Sequence, residues 1–361
     1  MSNLDDNRKK INEIDKQMAS LFEERMNISK DIAEYKKANG LPIYDAVREK
    51  EVLNNNAKLI SNDEIKEYYI MFEQNVMDLS KAYQNRTFSG LKVGYSGVEG
   101  AFGYLASKKM YPNATLIAYP NFVSAYEACE KGETDIVILP IENNYAGDVG
   151  IVMDLVFSGS LYINQMINLD VDQYLLGVHG ANIKDIKEVW SHEQALNQCQ
   201  KYIDEKNLKK KEFANTAIAA KEVANKNNIH IAAIASKETA KLYNLDILDS
   251  NINTIRNNTT RFAAFSKVLN TPDAKIKMGE HFIIVFTVIN EAGALAKTLN
   301  IIGSHGYNMR TLRSRPMKDL MWNYYFFVEL EGNINTEDGK DMLNELQTVC
   351  DKLKLVGVYH A

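Results

Sequence analysis

A seven-residue apolar rhythm with a cation on one beat constrains this chain more than any other feature. Ile11, Ile14, Met18, Leu21, Ile28, Ile32 and Tyr35 fall on alternating three- and four-residue steps, and the beat between Leu21 and Ile28 is Arg25. Such a period marks the buried seam of a long helix. A guanidinium inside the seam is costly unless an anion meets it. Two arrangements satisfy it: a carboxylate from the protein, or a site built for an anionic ligand.

The helical pattern persists through residues 1–89, which hold one glycine, Gly40, and one proline, Pro42. The two stand almost together, as where a helix ends and the chain turns. A second helix is predicted from about Asp45 to Ile60. A third begins near Ser61, with Asp63 and Glu64 in its first turn. Its seam is Ile65, Tyr69, Phe72, Val76, Leu79 and Tyr83. One long helix and two shorter ones cannot bury seams on this scale alone. Two chains are therefore expected to pair, each completing the other's core.

At Ser89-Gly90 the pattern changes to short strands alternating with helices. Strands are predicted at Leu91–Tyr95, Asp135–Leu139 (ended by Pro140), Glu188–Ser191 and His230–Ala235. Helices are predicted at Phe102–Lys109, Glu193–Ile203 and Ser236–Leu242. Such alternation implies parallel sheets with crossover helices, here in two lobes with a cleft between them. After Thr271-Pro272-Asp273 comes a third unit. Phe282–Ile289, Gly293–Gly303, Tyr307–Arg315, Trp322–Leu330, Thr336–Leu346 and Leu353–Tyr359 give the order βαββαβ, a ferredoxin-like arrangement.

Composition excludes several classes. The chain has 361 residues, 45% apolar and 25% charged, with 42 basic and 47 acidic side chains and a net charge of −5. That is ordinary globular usage with no basic excess for nucleic acid. No apolar run reaches membrane-span length, and Met1–Lys10 carries no signal-peptide core. Cys129, Cys199 and Cys350 are odd in number and far apart, which fits a reducing cytoplasm. The six histidines show no ligand spacing, so no metal is expected.

In the helical region Lys36 lies eleven residues after Arg25 and Arg8 seventeen before it. Lys36 projects from nearly the same face as Arg25. Arg8 is roughly 25 Å away along the helix, so only an antiparallel second copy brings it to the same small ligand. Asp45, Arg48 and Glu49 share one face of the second helix, and Ser80 and Gln84 one face of the third. Taken singly, Arg8 and Lys36 read as solvated charges, and Arg25 as snorkelling or pairing with Glu24. Taken together, the set suits a small dianion that also carries a hydroxyl.

These eight residues resemble, in identity and spacing, the all-helical chorismate mutases. The resemblance implies a pericyclic rearrangement of chorismate to prephenate, which needs no nucleophile or proton relay but a held conformer and stabilised charge. By resemblance, Arg25 and Arg8 of a second copy bind the two carboxylates. Lys36 and Gln84 face the ether oxygen, Arg48, Glu49 and Asp45 hold the hydroxyl end, and Ser80 lines the pocket.

In the α/β region Gly94, Gly97, Gly100 and Gly103 recur every third residue between a strand and a helix. Such a backbone can approach an anion, although the run is no dinucleotide fingerprint. Leu139-Pro140-Ile141-Glu142-Asn143 puts a carboxylate and an amide just past a strand, where α/β ligand sites lie. Ser191-His192-Glu193-Gln194-Ala195-Leu196-Asn197-Gln198-Cys199 opens a helix, and Thr260-Arg261-Phe262 sets a hydroxyl beside a guanidinium. Each also has a plain reading: Glu142 as a cap, Cys199 as a core thiol, Arg261 as an ion pair.

In order, these segments resemble the prephenate dehydratases across residues 91–269. That implies decarboxylation and dehydration of prephenate to phenylpyruvate without a cofactor. Thr260 would act on the leaving hydroxyl and Arg261 on a carboxylate. Glu142, Asn143 and Gln198 would orient the substrate, with Glu142 a candidate acid and Phe262 at the substrate. The chain departs from the family pattern at Ala101, Gly103, Tyr104 and Asn144, where hydroxyls or a histidine are usual.

Residues 276–361 resemble an ACT regulatory domain of the phenylalanine-binding kind. The implied effector residues are Gly293, Ala294, Leu295, Asn308, Leu312, Arg313 and Ser314. The usual Glu-Ser-Arg-Pro is here Arg313-Ser314-Arg315-Pro316, a charge reversal.

The expected chain is multidomain: an all-α bundle (1–90), a two-lobed periplasmic-binding-protein-like α/β unit (91–269) and a ferredoxin-like βαββαβ unit (276–361). It resembles the bifunctional chorismate mutase–prephenate dehydratases, implying a cytoplasmic homo-oligomer inhibited by L-phenylalanine, with no nucleic-acid or membrane partner. Two alternatives stand beside this: a mutase with an impaired dehydratase, and a two-lobed small-molecule binding protein.

Overall fold

The computed structural model describes residues 4–41, 46–254, 257–272, 279–317 and 323–360, with the backbone alone at 46–47. The chain divides into two compact units, Met1–Lys92 and Val93–Ala361. Asp45 and Trp322 lie outside the described residues.

The first unit is helical: Leu4–Ala38, Ala46–Asn56 with a 3-10 turn at Ala57–Leu59, and Asp63–Ser89. Asn62 caps the last helix by accepting from the Glu64 N–H at 3.0 Å. Asp63 and Glu64 complement its positive end. Ser29 and Ala33 of the long helix and Val76, Met77, Ser80 and Gln84 of the third are buried within the unit. Most of the predicted seam, Val76 apart, is not: Leu21 is 64% and Tyr35 65% exposed, and Ile11, Ile14, Ile28, Ile65 and Leu79 are exposed too. A contiguous apolar face this long is what a partner surface looks like.

The second unit is built on two sheets. The smaller has five strands, ordered Asp246–Asp249, Tyr174–Gly177, Ile231–Ala235, Glu188–Ser191, Lys209–Glu212. The larger runs Asn308–Pro316, Tyr324–Glu331, Glu280–Thr287, Lys352–His360, Tyr162–Asp170, Thr259–Ser266, Ile136–Asn143, Lys92–Ser96, Thr115–Tyr119. Its first four strands, with helices Ala294–Ser304 and Glu337–Gln347, form the βαββαβ unit. This unit meets the rest of the sheet at the parallel pair Gly357↔Ile163. A Cβ at Gly357 would lie 2.8 Å from the Ile163 Cβ and carbonyl oxygen, so the join needs glycine there.

The join is reinforced by a shared core. Tyr126, Leu139, Met153, Ile163 and Phe265 pack with Ile283, Val285, Tyr325, Phe327 and Val356 in one cluster. Phe157 stacks on Tyr325 with ring centroids 4.4 Å apart. Each such side chain contributes about 1.5–3 kcal/mol of burial, so the C-terminal unit is welded to the catalytic sheet rather than tethered to it.

Three sequence expectations are corrected. Pro140 does not end its strand, which continues to Asn143. The pairing with Thr259–Ser266 shifts there: Phe262 faces Pro140, Arg261 faces Glu142, and Ile141 is the extra residue. A bulge tolerates the missing N–H of proline and re-aims the side chains beyond it. The helix expected over 193–203 is two pieces, Glu193–Gln198 and Gln200–Glu205, broken at Cys199. Strands Thr115–Tyr119, Tyr162–Asp170 and Thr259–Ser266 were not expected from the sequence. No helix among the described residues is long and apolar enough to cross a membrane.

Candidate active sites

The helical unit carries an open pocket of about 310 Å³ lined by Arg25, Lys36, Arg48, Glu49, Ser80 and Gln84, with Ile28, Ile32 and Met77 as apolar wall. Arg25 donates to the Ser80 hydroxyl. Ser80 in turn donates to the Val76 carbonyl, one turn back, at 2.8 Å. Among the described residues Arg25 makes no ion pair, so its charge faces the cavity uncancelled.

Glu49 is held by its neighbours. Gln74 donates to its Oε1 at 2.8 Å and the Lys81 ammonium lies 3.0 Å away. The Gln74 hydrogen bond, then Lys81, lower its pKa below the usual carboxylate value against the effect of burial. Burial works against the Lys81 charge, but Asp78 and Glu49 outweigh it and raise its pKa. Lys81 also lines the cavity. The sequence reading missed it, because a lysine next to Ser80 on a polar helix face carries no signal of its own. Arg8 is elsewhere on the long helix, 3.6 Å from Asp5.

Between the two lobes lies a cavity of about 570 Å³. Asn143, Thr260, Phe262 and Gln198 line it, with Ser96, Gly97, Ala101–Gly103, Asp148, Gln173, His192, Asn215 and Thr216. Asn143 is the centre of its polar wall. Its Oδ1 accepts from the Tyr145 and Ala146 N–H groups at 3.0 and 2.8 Å. That leaves the NH₂ group to donate to Thr260 Oγ1 at 2.9 Å and Asn258 Oδ1 at 2.8 Å. Because Thr260 accepts from Asn143, its own proton can be donated into the cavity. Gln173, missed in the sequence, donates to Gln198 at 3.3 Å. It sits where the chain crosses between the lobes, outside any motif.

Helix starts supply further N–H donors. Gly97 and Gly100 have φ of +104° and +88°, which turns the chain into the helix Phe102–Met110. A Cβ at Gly103 would lie 2.9 Å from the Ser96 carbonyl oxygen, so this backbone leaves no room for a side chain there. Ala101 stands at the N-cap and makes no side-chain cap. Cys199 is fully buried and its thiol is pushed up to about 12 by burial, so it is core and not nucleophile.

Glu142 and Arg261 are corrections. Neither lines the cavity. Along a strand alternate residues face opposite sides, and with Asn143 and Thr260 inward, both neighbours point to the C-terminal unit. Arg261 donates from both Nη atoms to Glu329 at 2.9 Å and to the Tyr359 hydroxyl at 3.2 Å, and lies 3.6 Å from Glu142. Burial opposes the Arg261 charge, but Glu329 raises its pKa further still. Glu329 is only 1% exposed on its side chain, and Arg261 and Tyr359 depress its pKa against that burial. A guanidinium with a buried bidentate carboxylate is already neutralised, so here Arg261 serves the protein's own acid and is turned away from the cavity.

In the C-terminal unit, Gly293 and Ala294 border a surface groove with Lys297, Thr348, Val349 and Asp351. Leu295, Asn308, Leu312 and Ser314 are not in it. Leu312 and Ser314 share one face of the edge strand, and the bulge at Arg310 puts Asn308 on the other, where it donates to Glu331 at 2.9 Å. Arg313, expected at the effector, points away from Leu312 and Ser314, 2.6 Å from Glu142 and 3.0 Å from Asp148, and is not among the residues of the groove. Among the described residues no cluster of His, Cys, Asp or Glu could hold a metal ion.

These features define a class: an enzyme with one cationic cavity among helices and a second, amide-lined cavity between α/β lobes, fused to a ferredoxin-like unit. Residues 7–85 match the family "Chorismate mutase type II", 93–269 "Prephenate dehydratase" and 282–347 "ACT domain". The chain is 28% identical over 368 residues to a bifunctional chorismate mutase/prephenate dehydratase of Enterobacter agglomerans, covering 98% of this chain and 94% of that protein. It is 32% identical over 280 residues to the chloroplastic arogenate dehydratase/prephenate dehydratase 2 of Arabidopsis thaliana, covering 75% and 73%. Among solved structures, a prephenate dehydratase in complex with L-Phe from Arthrobacter aurescens overlays with a TM-score of 0.68 at 25% identity, over 75% of this chain and 90% of that one. A protein described as a quorum-quenching acylase, GqqA, overlays equally well, TM-score 0.68 at 28% identity, over 75% and 98%. The chain belongs to the bifunctional chorismate mutase/prephenate dehydratase family. It rearranges chorismate to prephenate, and decarboxylates and dehydrates prephenate to phenylpyruvate, in phenylalanine biosynthesis.

Proposed function

We propose that residues 1–90 carry the mutase, 91–269 the dehydratase and 276–361 an L-phenylalanine sensor, in a cytoplasmic homo-oligomer. In the helical cavity Arg25 and Arg8 of a second copy hold the two carboxylates of chorismate. Lys36 and Gln84 stabilise the ether oxygen as the C–O bond breaks. Arg48 and Glu49, with Asp45, hold the hydroxyl end, and Ser80 fixes the Arg25 guanidinium. The exposed heptad seam supports the second copy, since it covers the face from which Arg8 would reach across. Charge stabilisation and a held conformer are all this reaction needs.

In the inter-lobe cavity Thr260 passes a proton to the departing ring hydroxyl and takes one back from solvent, which supplies the one proton the reaction consumes. The bond from the ring carbon to its carboxylate breaks and CO₂ leaves. The electron pair enters the ring as the C–O bond breaks, and water leaves from a ring that has become aromatic. Asn143 holds Thr260, Gln198 and Gln173 orient the substrate, and Phe262 meets the apolar ring. The Asn143–Thr260 hydrogen bond carries this reading, because it occupies the hydroxyl as an acceptor and keeps its proton available to the substrate. Phenylalanine bound at Gly293–Leu295, where backbone N–H groups open a helix, lowers dehydration. The test supplies chorismate to the full-length enzyme and follows prephenate and phenylpyruvate separately, with and without phenylalanine. Prephenate that accumulates without phenylpyruvate would leave the mutase alone, and an unchanged phenylpyruvate rate at millimolar phenylalanine would remove the sensor.

A further inference from the structure

The segment from Glu142 to Asp154 faces two ways. On its inner side Asn143, Ala146, Gly147, Asp148 and Val149 line the inter-lobe cavity. It folds back as a short hairpin, with Glu142 opposite Asp148 and Asn143 opposite Gly147. Two carboxylates directly opposite each other across a pair of strands repel and tend to open the hairpin. A cation from the C-terminal unit lies between them. Arg313 reaches Glu142 through Nη2 at 2.6 Å and Asp148 through Nε at 3.0 Å, with its side chain only 12% exposed.

The next residue on the same face of that strand continues the contact. Arg315 meets Asp154 at 3.1 Å, and a Cβ at Gly150 would lie 2.7 Å from its guanidinium. Two arginines, spaced i and i+2 on a strand and so on one face, thus hold three acids of one catalytic segment. Glutamate at 313, as the family resemblance leads one to expect, would add a third carboxylate beside Glu142 and Asp148. The charge reversal is therefore matched to the acids it meets.

We propose that Arg313 is a positioning residue of the dehydratase: it clamps the Glu142–Asp148 hairpin so that Asn143 presents Thr260 to the substrate. The inference rests on the dehydratase reading of the inter-lobe cavity. Arg313 touches no substrate and acts through Asn143. A planar fork suits this place better than a point charge, since two carboxylates are met by two different nitrogens.

The test uses the full-length enzyme with mutase activity as an internal control. Displacing a catalytic group by about 1 Å costs on the order of 10²-fold, so Arg313→Glu is expected to lower kcat for prephenate dehydration by about that factor. KM should stay within about threefold, because the groups that bind the ground state are untouched. Arg313→Lys, which keeps the charge but not the fork, should fall between. The exchange Arg313→Glu with Glu142→Arg, at a position outside the cavity lining, puts a cation back between two carboxylates and should recover kcat by at least about tenfold over Arg313→Glu alone. A kcat for Arg313→Glu within about twofold of the parent enzyme overturns the proposal. So does an exchange variant that recovers nothing. If Arg313→Glu does not fold, Arg313→Lys and the exchange variant decide by the same kcat and KM criteria. Failure of the cavity reading itself would show differently, as a Thr260→Ala enzyme that dehydrates normally.

Discussion

In the helical cavity four cationic side chains, Arg25, Lys36, Arg48 and Lys81, face a small space. The inter-lobe cavity is proposed to take a closely related dianion, yet no lysine or arginine stands among its described lining residues. The cations paired with the acids of the adjoining strands and segment, Arg261, Arg313 and Arg315, are all turned to the protein's own carboxylates. The two reactions explain the contrast. A pericyclic rearrangement has no nucleophile or proton transfer to catalyse, so the site must hold the reactive conformer and supply charge opposing the charge that separates. Dehydration to an aromatic ring is pulled by its product and needs one well-placed proton donor. Cations serve chemistry in one site and architecture in the other.

The sharpest break of this contrast is Arg25→Ala. It is expected to cut chorismate consumption by about 10²–10³-fold, the usual cost of a missing transition-state charge, and to leave dehydration of added prephenate intact. Equal loss of both activities would mean the cavities are not independent. Next in size is Thr260→Ala, expected to lower phenylpyruvate formation by about 10²-fold as a lost proton donor does. Mutase rates should be unchanged, as read by separate assays.

Arg261→Met separates the two uses of cations. Leaving Glu329 buried without its partner should cost about 3 kcal/mol of stability, seen as earlier unfolding in a thermal scan. The folded fraction should keep its KM for prephenate. A KM rise with unchanged stability would return Arg261 to the substrate.

Acid sharpens the same point. The pKa of Glu329 in the fold lies below its ordinary value of 4.5. Its stabilisation is therefore complete above that value and is lost as pH falls through the lower, folded-state pKa. Denaturant titrations at falling pH should show a steeper loss in the parent enzyme than in Glu329→Gln. Parallel curves would mean that Glu329 titrates alike folded and unfolded. The smallest effect is Ala101→Ser, at an uncapped helix start in an extended capping conformation. A gain of about 1 kcal/mol is expected from the new cap, by the same denaturant measurement.

Much of this was legible in the residues. The heptads gave the helices, and the spacing of Arg25, Lys36, Arg48, Glu49, Ser80 and Gln84 carried their shared cavity, because helical period converts sequence distance directly into a face. Thr260 and Asn143 were found as motif members. What failed was direction. Glu142 and Arg261 belong to the same motifs, but strand alternation and the bulge at Pro140 turn them to the far side, and only the partners Glu329 and Arg313, distant in sequence, show it. The continuous sheet through Gly357 and Ile163 was hidden for the same reason. A join made by a single residue pair leaves no periodic trace.

The central claim is that one chain holds two independent cavities, one cationic and one not. The most direct measurement feeds chorismate to Arg25→Ala, to Thr260→Ala and to an equimolar mixture of the two, tracking chorismate, prephenate and phenylpyruvate over time. The account predicts that the first leaves chorismate unspent, the second accumulates prephenate, and the mixture restores phenylpyruvate. A mixture that forms none, although each variant retains its other activity, would contradict it.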